Sequence, residues 1–268
     1  MSFDRSRLGF PASEGFHAVS KPSCDLLTLR AFEKAGVPHG FTFRRRRLSG
    51  EGSPLAFGKR DREEADRRDL VQALGIRGMV SMRQVHGNKV SVVRSSSAEP
   101  PIGDGLVTGE SGLALMVATA DCVPLLLWDE RRNVVGAVHA GWRGSLAGIA
   151  AEAVTVLAVE LDARPESIRV AMGPAIGPCC YEVGEDVVEA FRRRFAGADE
   201  FLSAGPGEKK HLDLVAVNRS QLVAAGVPGE RIHASGLCTS CHNQDLYSYR
   251  KEGRGVGRLM GVVALPLS

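Results

Sequence analysis

Three side chains with donor atoms suited to chemistry stand out: His86 in "QVHG", Cys122 in "TADC" and His139 in "VHAGWRG". Each sits beside a break in an apolar run, at a position that reads as a strand end, where side chains can open into a pocket. A buried strand interior has no use for a thiol or an imidazole. The three lie too far apart in the chain for one helix or short loop to present them, so separate elements must bring them together. If they meet, two neutral imidazoles and a thiolate suit zinc, and copper also takes such ligands. Three protein ligands leave a fourth position open, the pattern of a catalytic site, and zinc lowers the pKa of bound water to roughly 7. The same atoms support a metal-free reading, with Cys122 as nucleophile, His139 as its base and His86 as an auxiliary. The two readings differ in whether the purified protein retains stoichiometric metal.

Further motifs surround these. In "HAGWRGS" a strand ends, two glycines allow backbone to approach a ligand, and a helix begins whose free N–H groups form an anion site. Arg143 lies there and could pair with phosphate or carboxylate. The run Arg44–Arg47 reads as a solvated basic loop. "MGPAIGPCCYEVGEDV" is a shaped loop without the Gly-Lys-Ser/Thr ending of a phosphate loop, and Cys179 and Cys180 in it read as pocket-wall packing. "CTSCHNQDLYSYR" holds Cys238-x-x-Cys241-His242, which suits half a zinc site or a redox pair. No second pair at ribbon-like spacing is evident, so structural packing is the first reading for Cys238 and Cys241. A non-enzymatic metal-binding protein built on that pair is a distinct alternative.

The elements that position these residues follow from periodicity. "LALMVATA", "VPLLLW" and "VVGAVHA" read as three buried strands in quick succession. "MVSMRQVHGNKVSVV" reads as two short strands around a turn at Gly87-Asn88. Helices are expected over Asp61–Leu74, stopped by Gly75, over Ser145–Leu161 with Ser145 as N-cap, and in "VGEDVVEAFRRRF" and "LDLVAVNRSQLVAAG", the last ended by Gly226. "SIRVAMG", "RIHASG" and "GRLMGVVAL" read as strands, and residues up to about Pro22 as a loose arm. Strands in clusters favour an α+β fold over a regular parallel α/β design. The chain's 268 residues suffice for a sizeable core. With 44% hydrophobic and 24% charged residues it reads as an ordinary globular protein. A net charge of only +3 gives no reason to expect nucleic acid. No apolar run is long enough to span a membrane, and the N-terminus has no apolar signal core, so a cytoplasmic protein with reduced thiols is expected.

The motifs "QVHGNKV", "GDGLVT", "TADCVPLLLWD", "GAVHAGWRG", "GPAIGPCCYEV" and "CTSC…YSYR" occur in that order. Together they resemble the bacterial YfiH/YlmD-type family, long labelled multicopper polyphenol oxidase or laccase-domain proteins and now described as purine nucleoside enzymes. The resemblance runs from about Val37 to the C-terminus, with residues 1–36 as an N-terminal arm and lead-in. It implies a single α+β domain with mixed sheets flanked by helices, similar to the catalytic domain of a cysteine-dependent toxin deamidase. It implies a zinc site of His86, Cys122 and His139, with copper and an oxidase activity as the alternative. It implies phosphorolysis of adenosine, inosine and S-methyl-5'-thioadenosine together with adenosine deamination. Purine nucleosides and phosphate are then the partners, with Arg143 and Arg44 as candidate phosphate or substrate contacts. One departure is visible: "HGFTFRRRRLSG" keeps Arg44 in register but puts Arg46 and Arg47 where family members carry paired glycines.

Overall fold

Side-chain alternation explains why the central runs have no polar face. Val123, Leu125 and Leu127 point to one side of their strand and pack with Ile149, Val154 and Leu157 of a helix. Leu126 and Trp128 point to the other side and meet Leu113, Leu115 and Val117 of a second sheet. A strand covered on both faces must be apolar throughout. Leu125 is fully buried, so truncating it to Ala would cost about 2–5 kcal/mol.

The structure is a computed structural model and describes residues 15–45, 60–95, 99–205 and 207–267. The first six-stranded sheet is ordered Phe16–Ser20, Asp25–Leu29, His39–Thr42, Leu259–Ala264, Leu113–Thr119, Gly78–Val80. Its neighbours are antiparallel except the last pair. The second is ordered Ile232–Ala234, Ile168–Met172, Val123–Asp129, Val134–Ala140, Gly105–Thr108, Val90–Val92. It is antiparallel at its centre and parallel at both edges. A three-stranded sheet joins Glu182–Val183, Lys210–Leu212 and Leu202–Ala204. Helix Arg60–Leu74 packs Leu70 and Ala73 on the outer face of the first sheet. Helices Ile149–Leu161, Glu185–Arg194 and Leu214–Ala224 cover the outer face of the second. The result is the expected α+β architecture with mixed sheets.

Three expectations are corrected. The supposed loose arm is, from Phe16 to Ser20, an edge strand paired in register with Asp25–Leu29. Its half-buried side chains give it only a weak apolar signal. The strands flanking Gly87-Asn88 do not form a hairpin. Gly78–Val80 pairs with the first sheet and Val90–Val92 with the second, so the segment between them bridges the two sheets. The expected helix from Ser145 is two helices, Trp142–Leu146 and Ile149–Leu161, broken where Gly148 takes φ +87°. Ser145 is therefore not a cap. It is buried inside the short helix, where its hydroxyl accepts from Asn218 and its carbonyl from Gln221.

Candidate metal centre

His86, Cys122 and His139 converge, with their donor atoms within 4.8 Å of one another. His139 comes from the end of strand Val134–Ala140, and Cys122 immediately precedes the neighbouring strand Val123–Asp129. That pair is antiparallel, so the end of one and the start of the other lie side by side, Val123 opposite Ala140. His86 arrives on the segment that bridges the sheets. Its ring stands edge-on to that of His139, with centroids 4.8 Å apart.

Asp104 organises this meeting. It is fully buried and accepts from the Val85, His86 and Gly87 backbone N–H groups at 3.2, 2.9 and 2.7 Å. It also bonds His139 Nδ1 at 2.8 Å. One carboxylate thus holds the His86 turn by its backbone and His139 by its ring. Burial alone would raise the Asp104 pKa, but the bonds from His139, Gly87 and His86 outweigh it and keep the group ionised. With Nδ1 committed to Asp104, His139 presents Nε2 to the cluster, the arrangement by which a carboxylate fixes the tautomer of a metal-binding histidine. Glycines on both sides let Asp104 in: a Cβ at Gly103 would meet the Lys89 carbonyl at 2.7 Å, and one at Gly105 would meet Val90 at 2.7 Å. The "GDG" triplet carried that signal in the sequence without a role being read from it.

The backbone around the cluster is strained where it matters. His86 and Asp121 are non-glycine residues at φ +61° and +92°. Such conformations cost about 1–3 kcal/mol and persist only when surroundings hold them. Asp104 grips the first. For Asp121, Thr239 Oγ1 and the Arg250 N–H each donate to its carboxylate at 2.6 Å, and the Ile176 N–H donates to its carbonyl at 2.8 Å. These bonds tie the turn before Cys122 to three separate segments, one of them the short helix Tyr249–Glu252.

Electrostatics favour an ionised sulfur. Burial pushes the Cys122 thiol up, but hydrogen bonds from His139 and His86 bring it from 9.0 down to about 6. Burial pulls His139 down, but Asp104 and Cys122 raise it to about 9. Room for a ligand is secured by Gly141, where a Cβ would lie 3.0 Å from both Cys122 Sγ and His86 Cδ2. This space, the soft N₂S donor set and the Asp104–His139 bond together fit a zinc or copper ion.

Arg143 is exposed at the rim and stacks over Trp142, 4.4 Å from ring centroid to guanidinium carbon. Its helix has only five residues, too few aligned peptide dipoles for the anion site expected there, so any anion falls to the guanidinium itself. Tyr181 and Arg250, to which the sequence reading gave no role, also border the cluster. Burial first, and then the charge of Cys122, push the Tyr181 phenol up to about 12, while Arg250 and Arg143 act the other way. Arg44 is differently engaged. It pairs with Glu252 at 2.8 Å, donates to the Asn243 carbonyl at 3.1 Å and lies over the Tyr247 ring. Arg46 and Arg47 fall outside the described residues.

Cys179 lines a cavity of about 250 Å³ together with Gly177, Pro178 and Cys238, as the pocket-wall reading expects of it, whereas Cys180 is not among the lining residues. Both cysteines lie with Cys238 and Cys241 in a second group whose sulfurs are within 4.8 Å of one another. A cavity of about 570 Å³, lined by Arg30, Lys34, Trp128 and His233 among others, includes no residue of either group in its lining. No helix among the described residues is long and apolar enough to cross a membrane.

The chain is similar to known proteins in both sequence and fold. The family model described as multi-copper polyphenol oxidoreductase laccase matches residues 39–266. A purine nucleoside phosphorylase of Deinococcus radiodurans is 40% identical over 238 residues, covering 86% of this chain and 90% of the relative. A protein named adenosine deaminase RL5, from an unknown prokaryotic organism, is 37% identical over 70% of this chain and 76% of its own length. The crystal structure of YlmD from Geobacillus stearothermophilus superposes with a TM-score of 0.83 at 32% identity, covering 94% of this chain and 99% of that one.

Proposed function

The chain belongs to the multi-copper polyphenol oxidoreductase laccase family, and we propose that within it this protein is a zinc-dependent purine nucleoside enzyme. It would carry out phosphorolysis of adenosine, inosine and S-methyl-5'-thioadenosine, and deaminate adenosine. The observation that carries this reading is the convergence of His86, Cys122 and His139 on a buried, histidine-orienting Asp104. A metal held by those three residues supplies Lewis acidity and water activation near neutral pH.

The chain's own residues do the rest. Asp104 keeps the proton on His139 Nδ1 and so keeps Nε2 turned to the cluster. Gly141 leaves the space in which substrate atoms approach. Arg143 holds phosphate for attack on the anomeric carbon as the purine departs, by charge and paired hydrogen bonds. Tyr181, half-buried beside Cys122, borders the nucleoside. Arg44 reaches phosphate only by exchanging its pairing with Glu252, which makes it the second candidate. None of the six cysteines is in a disulfide.

Arg143→Lys tests the division of labour. Lysine keeps the charge but lacks the planar fork. Adenosine phosphorolysis, followed as adenine release at saturating phosphate, is expected to fall about 10- to 100-fold, the scale of a lost charge-assisted hydrogen bond. Inosine formation by deamination is expected to fall less. Equal loss of both products would assign Arg143 to holding the turn rather than the phosphate.

Two other readings have support. The lowered pKa of Cys122 beside a cationic His139 favours a metal-free cysteine hydrolase, the chemistry of the deamidase to which the fold was likened. Copper suits the same N₂S donors, and an oxidase reading would follow from the family description.

A further inference from the structure

The second cysteine group is assembled by topology that the sequence hides. Strands Ile168–Met172 and Ile232–Ala234 are parallel neighbours at the edge of the second sheet, so their C-terminal ends emerge together. The two segments keep pairing beyond the strands: the Ala175 N–H bonds the Leu237 carbonyl, and the Thr239 N–H bonds the Ala175 carbonyl. The first segment then turns at Gly177 and delivers Cys179 and Cys180. The second delivers Cys238 and Cys241. The vicinal pair is thus the missing half of the Cys-x-x-Cys motif.

The geometry suits a tetrahedral ion. Cys241 Sγ lies 3.6 Å from Cys179 Sγ and 3.5 Å from Cys180 Sγ. Four sulfurs at about 2.3 Å from a zinc ion stand about 3.8 Å from one another, whereas a disulfide requires about 2.0 Å. The Gly177 N–H donates to Cys238 Sγ at 3.3 Å. Together with the Cys241 N–H it favours a thiolate there against the effect of burial. Gly177 leaves the room, since a Cβ would press to 3.3 Å from Cys179 Sγ and 3.4 Å from Cys238 Cβ. Arg250, anchored to the Cys180 and Glu182 carbonyls at 3.3 and 2.9 Å, places positive charge beside a centre whose four thiolates exceed the charge of the metal.

We propose that Cys179, Cys180, Cys238 and Cys241 bind a second metal ion, zinc, in a closed four-sulfur site that clamps the two loops bordering the His86–Cys122–His139 cluster. All-sulfur tetrahedral donors select zinc among redox-inert ions, and four protein ligands leave no position for substrate, so the site is structural. The clamped loops carry Tyr181 on one side and Thr239, which holds Asp121 next to Cys122, on the other. Each thiol gives up its proton on binding, so occupancy weakens as pH falls. The inference stands apart from the nucleoside reading, because none of the four residues belongs to the first cluster.

The test uses the full chain, reduced, stripped with a chelator and titrated with cobalt(II) followed by elemental analysis. The wild type is expected to bind two equivalents. Cys122→Ala and the double variant Cys179→Ser, Cys241→Ser are each expected to bind one. Thiolate-to-cobalt absorption should persist in Cys122→Ala and largely disappear in the double variant. Should that variant fail to fold, the wild type decides. Stoichiometric zinc is expected to slow iodoacetamide alkylation of Cys179 and Cys241 at least tenfold, read by peptide mapping. A single equivalent in the wild type that is lost in Cys122→Ala, alkylation indifferent to zinc, or recovery of Cys241 as a disulfide with Cys179 or Cys180 would each overturn the proposal.

Discussion

The two donor clusters solve the same problem with different materials. Around His86, Cys122 and His139 the protein spends a buried carboxylate and two left-handed non-glycine residues. Around Cys179, Cys180, Cys238 and Cys241 two parallel strand ends and backbone N–H groups suffice. The difference follows from the donors. An imidazole has two distinct nitrogens and must be turned so that one faces inward, which demands a partner for the other. A sulfur accepts from many directions and needs only to be brought close. Strain and buried charge are concentrated in the cluster assigned to chemistry, and the cluster assigned to holding is built from ordinary backbone.

The sharpest contrast is expected in thiol reactivity of the metal-free protein. Cys122 titrates at about 6, whereas burial and then the Cys180 hydrogen bond push Cys241 up to about 11. The thiolate is the nucleophile, so Cys122 alkylation should be near its maximum by about pH 7 and fall as pH drops through 6. Cys241 alkylation should still be rising above pH 9. Replacing His139 by Ala removes the second-largest influence on Cys122 and should move its midpoint up toward 9. Equal pH profiles for the two thiols would break the comparison.

Asp104→Asn addresses the orienting carboxylate alone. Asn keeps the shape but loses the charge that binds three N–H groups and His139. Zinc affinity of the first cluster is expected to fall about 10- to 100-fold, measured by competition with a chelating dye, with the four-cysteine cluster unaffected. A smaller effect is expected from two glycine substitutions. Gly141→Ala puts a methyl 3.0 Å from two ligand side chains and should cut nucleoside turnover about tenfold, roughly 1.4 kcal/mol. Gly177→Ala meets its neighbours at 3.3 Å or more and should lower turnover by less than about threefold, below 1 kcal/mol. Turnover lost more in Gly177→Ala than in Gly141→Ala would reverse the roles given to the clusters.

Much of this arrangement was legible in the sequence. Buried strands showed as continuous apolar runs, and the helices ending at Gly75 and Gly226 stopped where those glycines take φ +63° and +95°. His86, Cys122 and His139 were visible because polar donors at strand ends stand out against apolar surroundings. Asp104 was less visible, since its role depends on four donors from distant segments. The split at Gly148 was hidden because both halves of the helix share an apolar face. The four-cysteine cluster was hidden most deeply. Spacing announces a zinc site only when both ligand pairs come from local turns, and here a vicinal pair meets Cys-x-x-Cys through parallel strand pairing.

The central claim is that chemistry resides in a metal held by His86, Cys122 and His139. The most direct measurement is adenosine turnover by metal-stripped protein during zinc titration, with adenine and inosine followed separately and bound zinc read in parallel. Turnover is expected to be absent at the start and to return in proportion to zinc bound at the first cluster. In Cys122→Ala it should stay at least about a thousandfold lower at every zinc level, the scale of losing several kcal/mol of Lewis-acid stabilisation. Full turnover by the stripped protein, or by Cys122→Ala, would contradict the account.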